Sequence, residues 1–243
     1  MTATYGRRRA LALLGSALAA AACAPARPGP SPAPTRRRTA VSDQDLLTAA
    51  ASGDAAEVRR ALQAGARVEA RDERGRTPLL LAALGDHVEA ARILVAAGAD
   101  PDAQDDRRDS AFLVTGVTGS VAMLEALLPA RPDLTLTNRY GGVALIPACE
   151  RGHVDYVRAV LKTGIDVNHV NDLGWTGLLE AVILGDGGER HQRIVRLLLD
   201  AGADPDLADR DGASPLYHAR AKGHREIAAI LAAAGAREIP PSG

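Results

Sequence analysis

From residue 42 onward the apolar positions fall into short helical stripes separated by polar turns, and the stripes come in pairs. In the segment 72–104, Leu79, Ala82 and Ala83 stand at helical spacing, Ile93-Leu94 begins a second stripe, and Gly98 follows it. The same order of positions returns at Asp105, Asn138 and Asn171, each 33 residues after the last, and at Asp209, five residues late. Self-similarity at a fixed period of this size predicts a stack of identical supersecondary units, each burying its apolar face only against its neighbours.

Each recurring residue has a mechanical reason. Thr77 is placed to cap the first helix, with Pro78 at its first position, where a missing N–H costs nothing; Ser214-Pro215-Leu216 repeats the device. Leu197-Leu198-Leu199 gives a second helix its buried face. Gly98, Gly164, Gly202 and Gly235 follow second helices where a left-handed residue ends the helix without a Cβ clash. The runs Asn138-Arg139-Tyr140-Gly141 and Asp209-Arg210-Asp211-Gly212 suit hairpin turns. Two units depart. In 105–137, Arg108 replaces the turn Gly, Ser110-Ala111-Phe112 stands for Thr-Pro-Leu, and Arg131-Pro132 replaces Gly-Ala, so this degenerate unit is expected to be the weakest. In 171–208, five extra residues fall within Gly185–Arg190, between the two helices, where a surface connection tolerates length.

The period and the Thr77-Pro78-Leu79 motif resemble the ankyrin repeat, over residues 42 to about 236. The resemblance implies an all-α repeat solenoid of about five units, each a helix-turn-helix plus a β-hairpin loop, behind an N-terminal capping half-repeat. The boundaries follow the register: 42–71 for the cap, which lacks Thr-Pro-Leu, then 72–104, 105–137, 138–170, 171–208 and 209–238, the last also capping the C-terminal end.

Composition agrees. Hydrophobic residues make up 47% of the chain and aromatics only 2%, a balance suited to close-packed Ala- and Leu-rich helices. The net charge of -1 conceals an asymmetry, because residues 1–40 hold seven arginines and no acid. The remainder carries 22 basic residues against 30 acidic ones, a balance of -8, which argues against a nucleic-acid partner.

The first 41 residues read as an address and a spacer. Arg7-Arg8-Arg9 precedes an uncharged run, Ala10 to Ala22, of signal-peptide length and too short to span a bilayer. The arginines resemble a loose twin-arginine signal. Ala20-Ala21-Ala22-Cys23 resembles a bacterial lipobox, with Ala20 where Leu is typical. It implies lipidation of Cys23, removal of residues 1–22 and, with Ala24 and not Asp following, an outer-membrane anchor facing the periplasm. Ordinary cleavage with Cys23 unmodified, and a cytoplasmic chain with a fortuitously hydrophobic start, are the other readings. Residues 23–41, rich in Pro, Ala and Arg, are expected to form an extended tether.

Candidate chemistry dissolves into the register. His87, His153, His191 and His224 share one slot, before the second helix, and lie a repeat apart, too far for shared coordination. Asp204-Pro205-Asp206 and Asp209 lack calcium-loop spacing; Gly185-Asp186-Gly187-Gly188 lacks the frame of a phosphate loop; Cys149 sits at a small buried position. No metal, cofactor or catalytic constellation is expected. The ankyrin resemblance instead implies binding of a protein by an otherwise monomeric chain, through the concave surface of hairpin tips and first helices. The matching positions are Arg74, Arg76, Arg107, Arg139, Tyr140, Leu173, Trp175 and Arg210 on the tips, with the acidic Glu73, Asp106, Asp109, Asp172 and Asp211 beside them, and Leu84, Val117, Glu150, Arg151, Ile183 and Lys222 on the helical edge. Tyr140 and Trp175 suit a binding hot spot, with packing of Trp175 against a neighbouring hairpin as the other reading. An inhibitor or immunity factor, or an enzyme using the insertion near 185–190, is the alternative function.

Overall fold

Helices of seven to twelve residues are marginal alone, and here most are fixed at their starts by a side chain and along their sides by the next unit. A computed structural model describes residues 35–242, with side chains from residue 42. The expected signal segment 1–22, Cys23 and most of the 23–41 stretch lie outside the described residues.

Six helix pairs follow in order: α1 (Thr35–Ser52) and α2 (Ala55–Gln63), α3 (Pro78–Leu84) and α4 (Val88–Ala96), α5 (Ala111–Thr118) and α6 (Val121–Leu127), α7 (Leu145–Arg151) and α8 (Val154–Val160), α9 (Gly177–Ile183) and α10 (Glu189–Asp200), α11 (Pro215–Ala221) and α12 (Arg225–Ala233). Thr77, Ser110 and Thr176 each accept the backbone N–H three residues on at 3.2 Å, and Ser214 does so at 3.3 Å. Pro78 and Pro215 open their helices. The α7 helix starts without a side-chain cap, since Val143-Ala144-Leu145 stands in the motif's place.

The odd-numbered helices stack on one another in chain order, and so do the even-numbered ones. Ala82 and Ala83 of α3 are fully buried, as are Ala148 and Cys149 of α7. Approach is closest at Gly116 of α5, where a Cβ would lie 1.9 Å from the Ala144 carbonyl oxygen. The second layer contributes Leu94, Leu124, Tyr156 and Leu198 to a continuous core. Tyr156 keeps its hydroxyl satisfied by the Thr115 hydroxyl, 2.7 Å away, and Thr115 donates to the Phe112 carbonyl.

Three of the four histidines in the shared slot act as staples between units. The rings of His87 and His153 hydrogen-bond through Nε2 to the carbonyls of Ala51 and Val117 in the preceding unit, both at 3.1 Å. His191 reaches the equivalent carbonyl of Glu150 at 3.0 Å and also Asp186 Oδ1 at 2.8 Å. It does so from inside α10, not from before it. The insertion is therefore divided between a turn at 184–188 and extra residues at the start of α10.

Four further features differ from expectation. The capping unit is a full helix pair, and α1 extends back to Thr35, into the stretch expected to be an extended tether. Arg36–Arg38 and Ala40 propagate a helix readily once Pro34 is passed. The tips form tight turns, and no strand occurs among the described residues. Two neighbouring pairs of tips share one backbone bond each, from the Asp106 N–H to the Arg74 carbonyl at 3.1 Å and from the Asp172 N–H to the Tyr140 carbonyl at 2.9 Å, too little for a ladder. In the degenerate unit, Arg108 (φ 60°) and Arg131 (φ 54°) adopt the left-handed conformation that glycine takes elsewhere. Finally, residues 237–242 pack back onto the last unit. The Arg237 N–H donates to Asp206 Oδ1, the Ser242 N–H to the Asp211 carbonyl, and the Ile239 carbonyl accepts from the Ser214 N–H, so residues 237–242 occupy the place of a further tip.

Candidate binding groove

The tips are rigid because each begins with an Asp or Asn that closes on its own backbone. Asp72, Asp105, Asn138, Asn171 and Asp209 each accept, through one side-chain oxygen, the N–H groups two and four residues on, at 2.8–3.1 Å. A second layer ties tip to tip: Asp102 accepts the Asp133 N–H, and Asn168 accepts the Asp204 N–H, both at 2.8 Å. The acidic residues that superficially suggest a calcium loop, Asp204, Asp206 and Asp209, are held in this lattice of N–H acceptors.

Between these tips and the first helices of the second to fourth complete units runs a groove of about 490 Å³. Its floor comes from one repeat position: Val114 of α5, Pro147 of α7 and Glu180 of α9. Its walls carry Leu84, Val117, Tyr140, Leu173 and Leu184, which are five of the six large hydrophobic side chains exposed among the described residues. The sixth is Val170. Scattered exposed apolar residues are ordinary; gathered in one concavity they mark a contact surface.

Four of the eight non-acidic tip residues read from the sequence line this groove, Arg107, Arg139, Tyr140 and Leu173, and of the acidic ones Asp109 does. Tyr140 is 56% exposed, and the Arg139 guanidinium lies 4.5 Å from its ring centroid. Arg139 Nη1 also pairs with Asp109 at 3.2 Å, so the tyrosine is held face-on from beneath. The other four lie outside the lining. Arg76 folds back onto Asp72 at 2.7 Å, Arg74 and Arg210 stand exposed on other tips, and Trp175 is half-buried. From the helical edge, Leu84, Val117, Glu150 and Arg151 line the groove, while Ile183 and Lys222 do not.

Four wall and floor residues lie outside the positions carried over by the resemblance: Val114, Pro147, Glu180 and Leu184. Leu184 is 51% exposed beside half-buried Ile183, one residue along from the expected position. Glu180 is only 4% exposed and accepts the Asn171 side-chain amide at 2.8 Å. Burial, with the nearby Glu150 carboxylate adding to it, raises its pKa from 4.5 to about 7, against the opposing pull of the Asn171 hydrogen bond. Its sequence signal was present: the same slot holds Leu81, Val114 and Pro147 in the preceding units, so an acid there is anomalous. Cys149, behind Glu180, is wholly buried, and its thiol pKa is driven well up by that burial.

The family model of ankyrin repeats in three copies matches residues 33–105 and 113–209, more than half of the chain. The chain belongs to the ankyrin-repeat family. An ankyrin repeat domain from Acinetobacter baumannii AYE is 50% identical, with a TM-score of 0.76 over 79% of this chain and 98% of that one. The ankyrin repeat domain of Bcl-3 is 28% identical, with a TM-score of 0.72 over 79% and 86%. The ankyrin repeat protein YahD of Escherichia coli K12 is 54% identical over 99 residues, 40% of this chain and 49% of YahD. The Bos taurus mitochondrial disaggregase is 42% identical over 66 residues, 27% of this chain and 9% of that protein. The chain thus matches about half the length of YahD and under a tenth of the disaggregase. Ankyrin repeats in general are protein-binding modules, and the groove lies where tips and first helices converge.

Proposed function

We propose that this ankyrin-repeat chain is a non-enzymatic binding module that holds a partner protein in the groove of its second to fourth complete units. The observation that carries the reading is the convergence of Leu84, Val117, Tyr140, Leu173 and Leu184 on one groove. A surface preorganised by side-chain-closed turns loses little conformational entropy on binding. The insertion favours no catalytic alternative: His191 is bonded at both ring nitrogens, and Glu189 pairs with Arg193.

We further propose that the module works in a bacterial envelope, exported by its first 22 residues and anchored to the outer membrane through lipidated Cys23, where it acts as a monomer. The support is the sequence pattern alone: arginines, an apolar run and Ala20-Ala21-Ala22-Cys23. Two experiments test the reading. In affinity capture from envelope extract, a Tyr140→Ala, Leu173→Ala double variant with unchanged circular dichroism is expected to lose a partner that the unmodified chain retains; equal capture by both would refute the groove. Radioactive fatty acid is expected to label the chain and not its Cys23→Ala variant, whereas an unlabelled chain would remove the anchor.

A further inference from the structure

The groove has apolar walls and an ionisable floor, and this mixture specifies more than a generic hydrophobic contact. Glu180, from α9, and Glu150, from α7, line the same concavity, and among the described residues neither is ion-paired. The groove's cations belong to the rim. Arg139 is occupied by Asp109 and by the Tyr140 ring, Arg107 lies 3.9 Å from Asp109, and Arg151 is exposed. Three further titratable groups on elements packed against α9 are committed elsewhere. His218 of α11 is bonded to Asp209, and His191 of α10 to Asp186 and the Glu150 carbonyl, while Cys149 of α7 is a buried thiol.

We infer that the occupant is a partner segment that lays apolar side chains along the walls and sets a single lysine or arginine against Glu180 and Glu150. The inference rests on the groove being the docking surface. A long cationic side chain spans rim to floor, placing its stem against Leu173 and Leu184 and its charge beside carboxylates that have no ion-pair partner among the described residues. The rim arginines disfavour a run of basic residues, so one cation among hydrophobic neighbours fits the charge pattern. Because burial holds the Glu180 pKa at about 7, such a segment binds the ionised form and is released as pH falls through that value.

The test uses the full chain as bait for a display library of random short peptides, with recovered peptides re-measured on variants. Recovered peptides are expected to share one Lys or Arg flanked by apolar residues. Their affinity should fall about tenfold or more on Glu180→Gln, which preserves the bond from Asn171, and by a similar factor from about pH 8 to about pH 6. Glu150→Gln, at an exposed position, should weaken binding to a lesser degree. Peptides that are lost on Leu173→Asp yet carry no basic residue, or are indifferent to Glu180→Gln, would overturn this inference and leave the groove standing. Peptides indifferent to Leu173→Asp, or none recovered at all, would overturn both.

Discussion

The Asn171 side chain is shared between two jobs: its oxygen closes the tip by accepting the Leu173 and Trp175 N–H groups, and its amide donates to Glu180 Oε1 at 2.8 Å. The last unit solves the same problem with the polarity reversed. There Asp209 closes the tip and accepts from His218 at 2.7 Å, nine residues on, where Glu180 stands relative to Asn171. Donor meets acceptor in both, and the pair differs from unit to unit.

That pairing predicts a specific exchange. Asn171→Asp keeps the turn but sets a carboxylate against Glu180, and should cost about 2 kcal/mol or more at about pH 8, less at about pH 5 as the pair takes up a proton. Adding Glu180→Gln restores a donor and should recover most of the loss. Urea unfolding of the two single variants and the double variant measures the coupling; additive losses would refute it.

Glu180 also contributes to how stability depends on pH. Its folded-state pKa of about 7 lies above its ordinary 4.5. The folded chain therefore keeps a proton that the unfolded chain releases across that window, and the contribution of Glu180 to stability declines as pH rises through it. Glu180→Gln is expected to be nearly neutral at about pH 5 and to stabilise by about 1–2 kcal/mol at about pH 8. Thermal unfolding at the two pH values checks this, and an equal shift at both would contradict it.

Close helix approach makes Gly116 the most sensitive position in α5. Gly116→Ala would drive a methyl into the Ala144 carbonyl and should destabilise by about 2–3 kcal/mol despite alanine's better helix propensity. Ala83→Gly, in the equivalent slot of α3, should cost only about 1 kcal/mol.

Arg108 and Arg131 give the opposite expectation. Each holds a left-handed backbone that glycine adopts without strain, so Arg108→Gly and Arg131→Gly should each stabilise by up to about 1 kcal/mol. Denaturant midpoints measure the gain, and a loss at both sites would show that the guanidinium contacts outweigh the strain.

Much of this was legible in the chain. Thr77-Pro78-Leu79, the glycines after the second helices and the 33-residue step placed the helix pairs between residues 72 and 170, because they report local backbone needs that repeat, while the insertion moved the start of α10 off that step. The tips were legible as positions but not as directions: Arg76 and Arg139 belong to one pattern, yet the first folds onto Asp72 and the second turns to Asp109 and Tyr140. Leu184 and Glu180 were missed because carrying over a family's contact positions follows the average unit, and the exception at the floor matters only once its neighbours in space are known. The packing of residues 237–242 has no signature of its own, since any extended backbone can take that place.

Site-specific photocrosslinking in living cells tests the central claim most directly. A photoreactive phenylalanine analogue replaces Leu173 in the groove or, as a control, Arg92 on the exposed side of α4. The account predicts a discrete protein adduct from position 173 and none from position 92. Adducts from 92 alone, or from neither position, would contradict it.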